Sequence, residues 1–169
     1  MNIVGVILII FGCTAAGIKK ARSLSELDRT YSELISALSL IKSEISSRAS
    51  PLDEVLHTVA GTADGAVGRF VICVRDDFPN LGEEPFCCIW SKAAESCLDG
   101  LSERALTAVK ALGSSLGKYD GSMQCASLDR CISELSSEQK ALREMLSANR
   151  RMYVGIGAAS GLIIAIVLI

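Results

Sequence analysis

The chain alternates between two hydrophobic patterns. Residues 1–18 and 153–169 are apolar on every face and carry no charged side chain, whereas the intervening sequence is amphipathic. A helix rises about 1.5 Å per residue, so each terminal stretch covers roughly 25–27 Å, within the range for one membrane span. Between them, Leu24, Leu27, Tyr31, Leu34, Leu38, Ile41 and Ile45 recur at alternating intervals of three and four, which places one apolar seam along a long helix. The seam stops at Ser50 and Pro51, so a bundle helix is favoured over a free-standing coiled coil.

Shorter helices follow. Ser50 is the expected N-cap of a helix with Pro51 in its first position, Asp53 in its first turn, Leu52, Val55, Leu56 and Val59 inward, and Gly61 at its end. Beyond Asp64 and Gly65, the residues Val67, Phe70, Val71 and Val74 predict a third helix that stops before Pro79. Phe86, Ile89, Trp90, Ala93 and Cys97 predict a fourth, with Trp90 as a core anchor. A fifth starts at Ser102 and Glu103 and carries Leu106, Val109 and Leu112. The last begins near Asp120 or Ser122 and carries Leu128, Cys131, Leu135, Leu142, Met145 and Asn149, with Glu138 and Asn149 as polar interruptions of its seam. The expected fold is all-α, an antiparallel helical bundle of about six helices with a transmembrane helix at each end. The domains are residues 1–18 (membrane), 19–152 (bundle) and 153–169 (membrane). The middle segment of about 130 residues is the length of one ordinary domain.

Basic residues sit on the inner side of both apolar stretches: Lys19, Lys20 and Arg22 after the first, Lys140, Arg143, Arg150 and Arg151 before the second. The positive-inside rule then puts the bundle in the cytoplasm and both termini across the membrane. A cleaved signal is disfavoured because only Met1 and Asn2 precede the apolar run, although Ala15, Ala16 and Gly17 would suit a cleavage site. Ile10, Phe11, Gly12 and Cys13 resemble a lipoprotein cleavage sequence, but Phe11 is bulky and a basic leader is missing. Gly12 with Ala16, and Gly157 with Gly161, are small-residue pairs four apart, a spacing that permits helix packing within one chain or a homo-oligomer between chains.

The formal net charge of −2 gives no basic excess of the kind nucleic-acid-binding surfaces carry, so nucleic acid is not an expected partner. The seven cysteines are an odd number, six of them in the predicted cytoplasmic part, and are read as free thiols. Cys87 and Cys88 are adjacent but have no nearby ligands, and His57 is the single histidine, which argues against a zinc site. No catalytic residue, metal site or cofactor is predicted. Gly113, Gly117 and Gly121 follow a helical pattern and lack the Gly-Lys-Ser/Thr of a phosphate loop, so they mark a turn between helices.

The sequence A-L-G-S-S-L-G-K-Y-D at residues 111–120, followed by Gln124, resembles the L-G-x-x-L-G-x-x-D-x-x-x-Q signature of the stage III sporulation protein AB family of endospore-forming bacteria. The resemblance extends to the basic-flanked terminal spans, to residues 38–44 leading into Ser50, Pro51 and Leu52, and to Arg150 and Arg151 before the second span. The chain is richer in cysteine than the family pattern. The resemblance implies a bundle similar to the platform domain of type II secretion and type IV pilus inner-membrane proteins. It also implies a noncatalytic platform subunit of the mother cell–forespore channel complex, seated in the mother cell membrane facing the forespore. Its implied partners are the cytoplasmic ATPase, stage III sporulation protein AA, and other membrane subunits. Lys118, Asp120 and Gln124, in or beside the signature, are then the candidate docking residues, although Asp120 also suits a cap of the last helix. The competing function is a membrane-tethered regulatory adaptor that recruits a cytosolic protein through a helical face.

Overall fold

A seam of apolar residues needs a second surface to cover it, and four short helices and the start of a long one supply that surface here. The computed structural model describes the backbone of residues 3–48, 51–80, 83–116 and 120–168, and side chains over 23–47, 51–79, 83–116 and 120–147. Six α-helices follow in order: α1 (Ile3–Arg48), α2 (Leu52–Ala60), α3 (Gly65–Asp76), α4 (Phe86–Cys97), α5 (Glu103–Gly113) and α6 (Gly121–Leu168). A short 3₁₀ turn, Phe78–Asn80, lies between α3 and α4, and the described residues contain no strand.

The chain divides into two units, Met1–Glu26 with Lys140–Ile169, and Leu27–Gln139. In the first, the backbone is helical. The predicted spans, residues 1–18 and 153–169, and their packing candidates Gly12, Ala16, Gly157 and Gly161, lie outside the residues whose side chains are described, as do Cys13 and Asn149. Among the described residues no helix is long and apolar enough to cross a membrane. One inward assignment fails within this unit: Met145 is 66% exposed.

The second unit holds the core. From the α1 seam, Tyr31, Leu34, Leu38 and Ile41 are buried, with Ala37 beside them. Burying each large side chain stabilises the fold by about 1.5–3 kcal/mol. Val55, Leu56 and Val59 of α2, Val67, Phe70, Val71 and Val74 of α3, and Ile89, Trp90 and Ala93 of α4 cover it as predicted. In α5 the inward stripe is Ala105, Val109 and Leu112, while the predicted Leu106 is only half-buried. The spacing of four and three through Ala105 fits the helix as well as the spacing through Leu106, and Ala105 is the residue fully buried. In α6, Leu128, Cys131 and Leu135 are buried, and the next inward position is the polar Gln139.

Side chains fix the direction of α6 against α1. Gln139 Nε2 donates to the carbonyl oxygen of Asp28 (3.1 Å), to Asp28 Oδ1 (2.9 Å) and to Ser32 Oγ (2.6 Å). Lys42 Nζ pairs with Asp129 Oδ1 at 2.6 Å. High numbers on one helix thus meet low numbers on the other, and the two helices run antiparallel within this unit.

Helix boundaries follow local chemistry. α2 starts one residue later than expected: Pro51, at φ −56° and ψ 143°, occupies the cap position, and its carbonyl accepts from Val55 N. The predicted cap Ser50 lies outside the described residues. After α2, the amides of Thr62 and Ala63 both donate to the Val59 carbonyl, and Gly65 then enters α3 at φ +58°, a conformation costly for any residue with a Cβ. Ser102 caps α5, accepting from Ala105 N at 3.2 Å. The same hydroxyl donates to Glu138 Oε2 at 2.7 Å, and Ser102 N donates to the Tyr31 hydroxyl at 3.1 Å, so one cap connects α5 with both long helices.

Candidate docking surface

The signature run 111–120 turns the chain from α5 into α6. Leu112 is buried, and Gly113 packs where a Cβ would fall 2.5 Å from Trp90 Cδ1 and 2.6 Å from its Cγ. No side chain fits there without displacing the indole. Trp90 is completely buried, edge-on to Phe70 at 4.8 Å between ring centres, and its Nε1 donates to the Val109 carbonyl at 2.7 Å. The first Leu-Gly of the signature therefore seats α5 on α4. Lys110 and Glu95 add an exposed ion pair between the same helices.

Ser114 ends α5, and the hydroxyls of Ser114 and Ser115 donate to the carbonyls of Ala111 and Leu112. Leu116 is buried. Gly117, Lys118 and Tyr119, and with them the predicted docking residue Lys118, lie outside the described residues. Asp120 is exposed, and its carboxylate accepts from Met123 N (3.2 Å) and Ser122 Oγ (2.9 Å). It is the side-chain cap of α6, the structural role anticipated for it. Gln124 is half-buried one turn further on, its amide nitrogen donating to the Asp120 carbonyl.

Between α5 and α6 runs an open groove of about 700 Å³. Thr107, Ala108 and Ala111 line it from α5, and Ser127, Arg130 and Glu134 from α6. Leu112, Ser114 and Ser115 of the signature also line it, whereas Asp120 and Gln124 do not. Its rim is charged with both signs: Arg104 reaches Glu134 at 2.8 Å and Glu138 at 3.6 Å. The Arg104–Glu134 pair is solvent-exposed and contributes little to stability, whereas Glu138 is half-buried and also accepts from Ser102 Oγ. Cys131, deep on the α6 side, has its thiol pushed up to about 12 by burial and then by the charge of Glu134, so it remains protonated and inert at neutral pH.

Sequence reasoning overlooked Arg104, Arg130 and Glu134. Their signal was a polar stripe flanking the apolar seams of α5 (Arg104) and α6 (Arg130 and Glu134), which is common to any solvated helix face. His57, by contrast, is exposed as expected, and six cysteines are free thiols.

The family model of stage III sporulation protein AB matches residues 2–169. The stage III sporulation protein AB of Bacillus subtilis (strain 168) is 21% identical over 170 residues, covering 99% of both chains. A solved structure of a stage III sporulation protein AB superposes with a TM-score of 0.62 at 19% identity, over 70% of this chain and 94% of that one, a likeness of fold. With the family match running through the whole sequence, signature turn included, this chain belongs to the stage III sporulation protein AB family of sporulation proteins.

Proposed function

We propose that the chain is a noncatalytic platform subunit, anchored in the mother cell membrane by residues 1–18 and 153–169, whose cytoplasmic bundle docks an ATPase of the stage III sporulation protein AA type. The groove between α5 and α6 is the docking surface, and other membrane subunits of the channel complex surround the anchors. The observation that carries this reading is that Leu112, which opens the family signature, lines that groove together with Ser114 and Ser115 at the signature's variable positions. A surface built on helices packed into the core suits the transfer of force: α5 seats Gly113 against Trp90 and is tied through Ser102 to Tyr31.

Anchoring is supported by the bundle itself. Within unit Leu27–Gln139, Gln139 lies against Asp28, so the chain enters and leaves this unit at one end.

The test is to tag the protein in sporulating cells, solubilise the membranes with a mild detergent and identify what co-purifies. The platform reading predicts the ATPase and further membrane subunits in one large particle. A small particle without the ATPase, even after gentle cross-linking, would replace the platform with the adaptor.

A further inference from the structure

We propose that Cys73 on α3 and Cys97 on α4 form a modification site, a dithiol that a low-molecular-weight disulfide converts into an intramolecular disulfide joining the two helices. Their sulfurs lie 3.7 Å apart across the interface in which Phe70 stacks edge-on against Trp90. A disulfide bond is about 2.05 Å long, so side-chain rotation with a small approach of the helices closes the gap. The two thiols are unequal: Cys73 is exposed and Cys97 is only 8% exposed. Cys73 is therefore the attacking sulfur and Cys97 the resolving one.

The reaction balances in two exchanges. The Cys73 thiolate attacks one sulfur of the reagent disulfide and expels the other half as a thiolate, which takes up the proton that Cys73 gave to solvent. Cys97 then loses its proton, attacks the Cys73 sulfur of the mixed disulfide and expels the second half. Two protein thiols lose two electrons in all, and one reagent disulfide becomes two thiols. Burial, the contact with Cys97 and the negative charges of Cys97, Asp76 and Asp77 all raise the Cys73 pKa. The exchange is consequently slow at neutral pH and accelerates as pH rises, a setting that spares the pair from brief oxidation. Once formed, the bond closes a loop between residues 24 apart and holds α3 on the helix that carries Trp90, the residue against which Gly113 seats the signature turn.

The experiment uses the full chain purified in detergent, incubated with oxidised glutathione at mildly alkaline pH, run on a non-reducing gel and digested with trypsin for mass spectrometry. The expected product is a monomer in which the peptide of residues 70–75 is disulfide-linked to that of residues 93–104. Cys97→Ser should accumulate glutathione on Cys73 as a stable mixed disulfide, and Cys73→Ser should leave Cys97 reduced. A wild-type protein that stops at glutathionylated Cys73 with Cys97 free, that stays fully reduced, or that links these cysteines only between chains overturns the proposal.

Discussion

At the scale of single residues, Gly113 and Trp90 form the tightest constraint on the signature turn. A methyl group at position 113 would stand 2.5 Å from the indole, closer than real side chains approach. Gly113→Ala should lower stability by about 1–3 kcal/mol, the usual range for overpacking, and a denaturant titration with an unchanged slope would measure it. Trp90→Phe with Gly113→Ala should recover none of that loss, because phenylalanine keeps the Cβ, Cγ and Cδ1 atoms that meet the added methyl and loses the hydrogen bond to the Val109 carbonyl. Cys131 offers a pH signature. Its folded-state pKa is raised from 9.0 to about 12, so the neutral thiol favours folding; that contribution is whole below pH 9 and disappears as pH climbs toward 12. Wild-type stability should therefore fall more steeply over this window than that of Cys131→Ala, as compared by denaturant midpoints at successive pH values. Equal slopes would show that the burial of this thiol has no energetic weight.

The role of glycine at 113 was only half legible in the sequence. Three glycines four apart announced a reversal, but the demand for closeness comes from a tryptophan 23 positions earlier, and local pattern carries no such information. Asp120 was legible because capping is a local interaction: acid, two residues, then the amide it accepts.

Among the elements, periodicity identified the six helices and most of the inward positions among the described residues, although Leu24, Leu27 and Ile45 are only half-buried and Met145 is exposed. It failed where two stripes competed, as between Ala105 and Leu106, and where a polar residue took a core place. Gln139 is 8% exposed and serves as the register pin between α1 and α6, with its amide directed at Asp28 and Ser32. Hydrophobic patterning has no term for a buried amide whose partners lie 107 and 111 residues away. Gln139→Glu should destabilise more than Gln139→Leu near neutral pH, because it removes the donor and sets a second carboxylate beside Asp28; a cost of about 1–3 kcal/mol is expected for each lost buried partner. Thermal unfolding of the two variants in parallel would decide the order. Ser102→Ala should cost about 0.5–2 kcal/mol as the α5 cap is lost. Because Glu138 loses a hydrogen-bond donor in the same step, the effect should shrink in a Glu138→Gln background.

At the scale of the whole molecule, the unit Leu27–Gln139 holds α2 to α5 and antiparallel segments of the two long helices, with part of the signature lining the groove between α5 and α6. The family and the helical class could be read from the sequence, since basic flanks, seams and the Leu-Gly run are all one-dimensional. The groove could not, because its walls join residues of α5 and α6 that only the turn brings together. The proposed anchors are inferred from charge distribution, and if they hold, a cysteine placed at Ser114 reacts with an impermeant maleimide only after the cells are opened. Labelling in intact cells would invert the topology.

The central claim is that the α5–α6 groove receives the ATPase. Photo-crosslinking amino acids placed singly at Thr107 and Ser127 in the groove, and at His57 on α2 as a control, test it within sporulating cells. ATPase adducts are expected from the two groove positions and none from His57. Adducts from His57 alone, or no ATPase adduct from any position while the protein co-purifies with its membrane partners, would contradict it.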